Sequence, residues 1–363
     1  MKKYTKVYSG YLRSCLLVII STGILFSCRD EENHDLYFEA TSPSGKVKRE
    51  GAILEHLAGE RLMLSQDILS AVEIRIQDQN IYVLTGMKEG FVRKFDLNGE
   101  FIESSFQAGS GPGEVLYLSN FGFVKDKGID YSYGNDKIQN KMVYFSKGDT
   151  IDIPFSILLF HAFPTYDNEI LGVPVESDKM FNYYDFSGNQ TRSFGNYPKS
   201  KVTDMNYILS QAFVGAYDYS RANNTFVAGL KHTDYLMIFS DIGKEEVYSE
   251  VRGPLYYDPI FTVSELSGYP MFTQNNKMRF SYVDVIATDN KIIGLFSGYS
   301  VEEKAMMAHY GDKIFIFDYS GKIIKGFEIS EKLISLAYDD VKNMLYGLDV
   351  SGDEEEIIKY RLD

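Results

Sequence analysis

Phe91-Val92-Arg93-Lys94-Phe95-Asp96-Leu97-Asn98-Gly99-Glu100-Phe101-Ile102 alternates apolar and polar residues on either side of an Asn-Gly pair. Such alternation sets one strand face on a core, and Asn-Gly accepts the positive φ angles of a two-residue hairpin turn. The phrase returns at Phe145–Ile151, Tyr184–Asn189, Phe239–Lys244 and Phe315–Ile324, each time as an aromatic strand, a turn glycine and a return strand. The turn glycines, 99, 148, 188, 243 and 321, lie 49, 40, 55 and 78 residues apart. Spacings of about 40–50 residues are those of propeller blades.

Each phrase follows another pair of strand-like runs: Val72–Leu84, Phe121–Tyr133, Ala162–Val173, Val214–Leu230 and Val283–Phe296. A sixth unit passes through Ile334–Tyr338, Met344–Leu348 and Glu356–Leu362, and stops after three strands. The expected fold is all-β, a six-bladed β-propeller of four-stranded antiparallel blades. Its ring is closed by an N-terminal strand around Val47 to Leu54 pairing with the C-terminal blade, which leaves no open sheet edge at the seam. Residues 195–212 read as a polar connection, and residues 252–280 as an insertion on one face of the ring. A helix is expected over Val301–His309, where Glu302, Glu303, Lys304, Ala305 and Met306 are good helix formers. With 28 Tyr, 25 Phe and no Trp, the composition suits sheets stacked face to face and lacks the Trp-Asp signature of WD40 propellers.

The N-terminus reads as an address. Lys2, Lys3, Lys6 and Arg13 precede an apolar run from Cys15 to Phe26, and Leu25-Phe26-Ser27-Cys28 forms a lipobox. Residues 1–27 are therefore expected to be a lipoprotein signal peptide, residues 28–48 a flexible tether lipidated at Cys28, and residues 49–363 the propeller. Arg29-Asp30-Glu31-Glu32 resembles an acidic tag that sends lipoproteins to the outer face of the outer membrane, so cell-surface display is expected over the periplasmic face. The chain has 37 basic and 51 acidic side chains, net −14, and loss of the four positive charges of the signal leaves −18. That sign disfavours nucleic acid and assigns membrane attachment to the lipid. Cys15 leaves with the signal and Cys28 carries the lipid, so neither a disulfide nor a thiolate site is expected.

The lipobox, Gly109-Ser110-Gly111-Pro112-Gly113-Glu114, and Leu295-Phe296-Ser297-Gly298-Tyr299-Ser300 leading to Lys313–Lys322 together resemble the TolB-like six-bladed β-propeller lipoproteins. The resemblance spans about residues 50–363. It implies a six-bladed fold on an envelope lipoprotein and brings no catalytic residue with it.

The chemistry-bearing candidates are few. Gly109–Glu114 lacks the Lys and the following helix of a phosphate loop, and reads as a tight crossing whose Glu114 caps the turn or lines the channel mouth. The histidines, 34, 56, 161, 232 and 309, never fall within a turn of one another and read as ordinary surface or packing residues. Asp349–Glu356 sets its glycine wrongly for a calcium loop and reads as a charged turn of the last blade. No metal, cofactor or catalytic residue is expected. The aromatic insertion is the binding candidate: Tyr256, Tyr257, Phe261, Tyr269 and Phe272, stiffened by Pro254, Pro259 and Pro270, would offer rigid amphipathic rings. The expected function is thus a lipid-anchored binding or scaffolding module for a protein or glycan. The alternative is a hydrolase or lyase on envelope or dietary polymers, which a buried His, Asp, Glu or Arg cluster at the channel mouth would favour.

Overall fold

The computed structural model describes residues 36–362 except 88, 127–128, 147–148, 199–205, 241–246, 260 and 264–271. The signal peptide, Cys28 and His34 lie outside the described residues. Four short strands come first: β1 (Leu36–Thr41), β2 (Val47–Ala52), β3 (Leu54–His56) and β4 (Glu60–Leu62). Antiparallel quartets follow. They are β5 (Glu73–Gln77), β6 (Asn80–Leu84), β7 (Val92–Asp96) and β8 (Phe101–Ser105); then β9 (Leu118–Asp126), β10 (Ile129–Asp136), β11 (Lys141–Ser146) and β12 (Asp149–Pro154). Next come β13 (Leu159–Pro164), β14 (Ile170–Pro174), β15 (Phe181–Tyr184) and β16 (Gln190–Phe194), and, after helix α1 (Asn206–Ala212), β17 (Gly215–Ser220), β18 (Thr225–Leu230), β19 (Tyr235–Ser240) and β20 (Val247–Arg252). A small hairpin, β21 (Phe261–Val263) and β22 (Phe272–Gln274), precedes β23 (Tyr282–Ala287), β24 (Ile292–Phe296), helix α2 (Val301–Lys304) and β25 (Gly311–Phe317). The long β26 (Ile323–Asp339) pairs with β25 through its first half and with β27 (Met344–Asp349) through its second, and β28 (Glu356–Arg361) follows.

The first strand of each quartet touches the next in the order β5, β9, β13, β17, β23, the second half of β26, and β5 again, so the sheets stand in a ring. The fold is all-β and propeller-like, and its core lies between neighbouring sheets. Phe163 and Phe181 of one sheet pack with Phe226 and Phe239 of the next, and Ile74 and Phe95 of the β5–β8 sheet pack with Leu348 and Ile357 at the other end of the chain.

The turn phrase has one chemistry in three of its five occurrences. Asp96 Oδ1 accepts the N–H groups of Asn98 and Glu100 at 2.8 and 2.9 Å. Asp185 Oδ1 does the same for Ser187 and Asn189 at 2.8 and 2.9 Å, and Asp318 Oδ1 for Ser320 and Lys322 at 2.8 and 3.0 Å. Those bonds hold the Asp96 carboxyl below its ordinary range, and the side-chain amide of Asn189, donating at 3.1 Å, together with them does the same for Asp185. In each turn the glycine alone takes positive φ: 92° at Gly99, 80° at Gly188 and 83° at Gly321. The two-residue Asn-Gly turn is corrected accordingly. The ladder shifts register between Lys94 and Phe95, and the loop is the longer hairpin in which an aspartate organises the turn and glycine forms the bulge.

The N-terminal pairing also differs from expectation. Val47–Leu54 does not complete the last sheet; β4 does, with Leu62 opposite Ile357 and Lys359 opposite Glu60. Leu36–Thr41, assigned above to the tether, is instead strand β1. It pairs with β2 and with β20, while β3 runs parallel to β26 at Gly326–Glu328. The reason is burial: Phe38 is enclosed edge-on by Phe315 and Phe317 at 5.0 and 5.4 Å, and Leu62 enters the core beside Leu348. The strand-like pattern at 47–52 is used in a hairpin on the rim, so the first 27 described residues belt the outer edges of three successive sheets.

Within the expected polar connection, α1 buries Ile208 and Leu209, an apolar pair that a mostly polar stretch conceals. The helix over Val301–His309 is present as α2 followed by a 3₁₀ turn at Ala305–His309, and Ser300 and Glu303 form a capping box. Asp349–Glu356 joins β27 to β28 as a charged turn.

Candidate functional site

The N-terminal ends of the first strands surround a cavity of about 210 Å³ on the ring axis. Every first strand contributes to its lining: Glu73 and Arg75 from β5, Asn120 from β9, His161 from β13, Tyr217 from β17, Asp284 from β23 and Ser335 from β26. Strand alternation explains the pair on β5, because Ile74 between them turns into the core with no exposed surface.

Two hydrogen-bonded groups link the sheets here, one running from the lining residues Glu73 and Arg75 to Asp218 behind them and one around Asp284. Arg75 Nε donates to Glu73 Oε1 at 2.7 Å and Arg75 Nη1 to Asp218 Oδ1 at 2.8 Å. The other Asp218 oxygen accepts the N–H of Ala287 at 2.8 Å. Asp284 Oδ2 accepts Ser335 Oγ and the N–H of Leu336, both at 2.8 Å. Asn120 ties β9 to β13 by donating to the carbonyl of Ala162 at 2.9 Å.

The cluster's electrostatics are those of carboxylates held away from bulk water. Glu73 and Arg75 keep 16% and 22% of their side-chain surface open, but that surface faces the cavity. Burial pushes the Glu73 carboxyl up to about 7 against the pull of Arg75, and pushes Asp284 up to about 6 against Arg75 and the donors from Leu336 and Ser335. Burial, then the charges of Arg75 and Lys137, lower His161 to about 3, so its imidazole is neutral. Polar capacity is left over. Arg75 commits two of its five N–H groups to protein acceptors, and among the described residues Glu73 Oε2 and the His161 ring nitrogens take no protein partner. The cavity thus offers unspent donors and acceptors beside the ring of Tyr217, which lies 5.3 Å from that of His161.

The residues singled out from sequence lie elsewhere. Glu114 Oε2 accepts the N–H of Gly111 at 2.7 Å and closes its own loop, which Gln139 braces by donating to the carbonyls of Gly109 and Glu114. Tyr256 is 37% exposed, with the Arg252 guanidinium 4.9 Å from its ring. Tyr257 donates its hydroxyl to the carbonyl of Arg279 and so pins the insertion to the chain entering β23. Phe261 and Phe272 fall on the β21–β22 hairpin, and Tyr269 lies outside the described residues. His161, read as ordinary, lines the cavity. Glu73, Arg75, Asp218 and Asp284 were not singled out. Their one signal is a charge at alternating positions of runs already read as strands, which becomes a site only when the ring sets those strands around one axis.

Among the described residues, no group of three or more His, Cys, Asp or Glu could hold a metal ion, and no helix is long and apolar enough to cross a membrane.

A ring of antiparallel sheets with a polar cavity at its centre defines a β-propeller. The chain belongs to the TolB-like 6-blade propeller-like family, whose model matches residues 95–340. Its fold is similar to that of a protein of Bacteroides fragilis described as exported, at 15% identity and a TM-score of 0.51 over 85% of this chain and 95% of that one. It is also similar to a member of the DUF4221 family from Bacteroides vulgatus, at 12% identity and a TM-score of 0.51 over 86% and 97% of the two chains. No curated protein matches the chain.

Proposed function

We propose that this chain is an extracytoplasmic, lipid-anchored propeller of six four-stranded blades, closed by Glu60–Leu62, that binds a glycan by taking one sugar residue into the central cavity. The single observation behind the reading is the Glu73–Arg75–Asp218 ion-pair network with Asp284 and His161 beside it around one cavity. A sugar hydroxyl both donates and accepts, so it is matched by a site with unspent donors on Arg75 and acceptors on Glu73 and His161. The cavity's about 210 Å³ admits a single residue and not a folded partner. Export and the lipid at Cys28 rest on the basic start, apolar run and lipobox, and surface display rests on Arg29–Glu32.

Saturation-transfer NMR of the intact protein against a panel of neutral, amino and acidic monosaccharides tests the site. At least one sugar should show transfer that Glu73→Gln reduces several-fold; equal transfer to both proteins, or none from the wild type, refutes it. Radiolabelled palmitate should enter the wild-type protein and not Cys28→Ala in its own cell.

A second reading has a specific observation behind it. Glu73 and Asp284 are held near neutrality, where one carboxyl can give a proton while another accepts one, as hydrolysis or elimination at a glycosidic bond requires. Release of new reducing ends from a bound oligosaccharide, lost in Glu73→Gln, would establish it; unchanged oligosaccharide after prolonged incubation would leave binding alone.

A further inference from the structure

At the opposite ends of the first strands, two adjoining hollows of about 500 and 120 Å³ share Val124, Tyr131 and Arg221 and so form one groove across three sheets. Aromatic rings line it along its length, Phe106 and Phe145 among them at 5.0 Å. Tyr82 and Phe123 sit 4.4 Å apart at one end. Tyr131, Tyr144 and Phe186 follow at 6.1 and 5.6 Å toward the other, and Phe186 is 42% exposed. None of these rings lines the central cavity.

The charges around the groove balance, Asp78 and Arg221 being, among the described residues, one carboxylate and one cation there without an ion-pair partner. Lys125 pairs with Asp130 at 3.6 Å, Lys94 with Glu103 at 3.1 Å, and Arg221 donates to the carbonyl of Thr165 at 2.9 Å. A charged partner would find little net charge to recognise. A purely apolar partner would have to strip water from Gln77, Asp78, Glu103 and Asp130, which stand among the rings. A neutral chain with flat apolar faces and hydroxyl edges satisfies both constraints, since its faces stack on fixed rings while its edges meet the polar side chains.

We propose that this groove is a second binding site, for a neutral polysaccharide chain, independent of the sugar-sized cavity at the centre of the ring. Rings spread along a groove that joins two hollows suit successive residues of an extended chain and not a single sugar.

The test is affinity electrophoresis of the folded protein through gels containing hydroxyethyl cellulose, amylopectin, mannan or heparin. The wild type should be retarded by at least one neutral polymer. Phe186→Ala, at an exposed position where truncation spares the fold, should weaken that retardation roughly 2- to 10-fold. Tyr131→Ala should act likewise, and Glu73→Gln should leave it unchanged. Migration like a reference protein in every neutral gel overturns the proposal, as does retardation by heparin alone or retardation that neither aromatic variant weakens. Equal loss in Glu73→Gln would place the polymer at the cavity, and self-association abolished by Phe186→Ala would make the occupant a second copy of the chain; both overturn it. No sugar transfer to the wild-type cavity, or transfer that Glu73→Gln does not reduce, with retardation intact would sink the central reading alone.

Discussion

Asp234→Asn should remove a pH dependence that runs opposite to ordinary acid denaturation. Asp234 is fully buried; Oδ2 accepts the N–H of Leu255 at 3.0 Å, and among the described residues Oδ1 has no partner. Burial pushes its carboxyl from an ordinary 3.8 to about 7. Between those values the folded protein keeps a proton that the unfolded chain gives up, so stability is greatest on the acid side and falls as pH rises through 7. Each pH unit across that interval is worth about 1.4 kcal/mol, so ionised Asp234 costs on the order of 4 kcal/mol above pH 8. Asparagine mimics the protonated acid. Urea unfolding followed by far-UV circular dichroism, apt for a chain with no Trp, should find the variant about 2 kcal/mol more stable than wild type at pH 5.5 and about 4 kcal/mol more stable at pH 8.5. Glu73 and Asp284 add the same sign of dependence to both proteins and cancel in the difference. A gap between variant and wild type that stays constant across this range would refute the reasoning.

Leu62→Ala should cost about 2–4 kcal/mol, because the side chain fills the seam beside Leu348 and Ile357, and hydrogen exchange should rise first over 356–361. Unchanged protection there would show that β4 does not close the last sheet. Gly188→Ala should destabilise by more than about 2 kcal/mol in chemical denaturation, since an added Cβ at φ +80° would lie 1.7 Å from the Pro154 carbonyl. Gly45→Ala, with φ +76° and nothing within 4 Å, should cost only about 1 kcal/mol, separating the clash from the backbone preference. Ser300→Ala should lower stability by about 1 kcal/mol through loss of the N–H acceptor for Glu303, as read by the shift in urea midpoint.

Features that depend on near neighbours along the chain were legible in the residues alone. Alternation and turn glycines marked the strand units, because strand faces and positive φ are local properties, and Asp96, Asp185 and Asp318 build the same turn in three of the five occurrences. Ser300 and Glu303 likewise start their helix from four adjacent residues. Whatever joins distant residues came only with the folded ring. The sequence points to the stretch around Val47 to Leu54 for the closing strand, and the pairing falls instead on Glu60–Leu62 because of where Phe38 and Leu62 find a core. The candidate site is the extreme case. Arg75 meets Asp218 across 143 residues, and a charge at alternate strand positions reads as solvent-facing until six strands turn it toward one axis. The aromatic insertion stands out in the sequence because its rings are close along the chain, whereas the cavity and the groove gather theirs from several sheets, where closeness is a property of the closed ring alone.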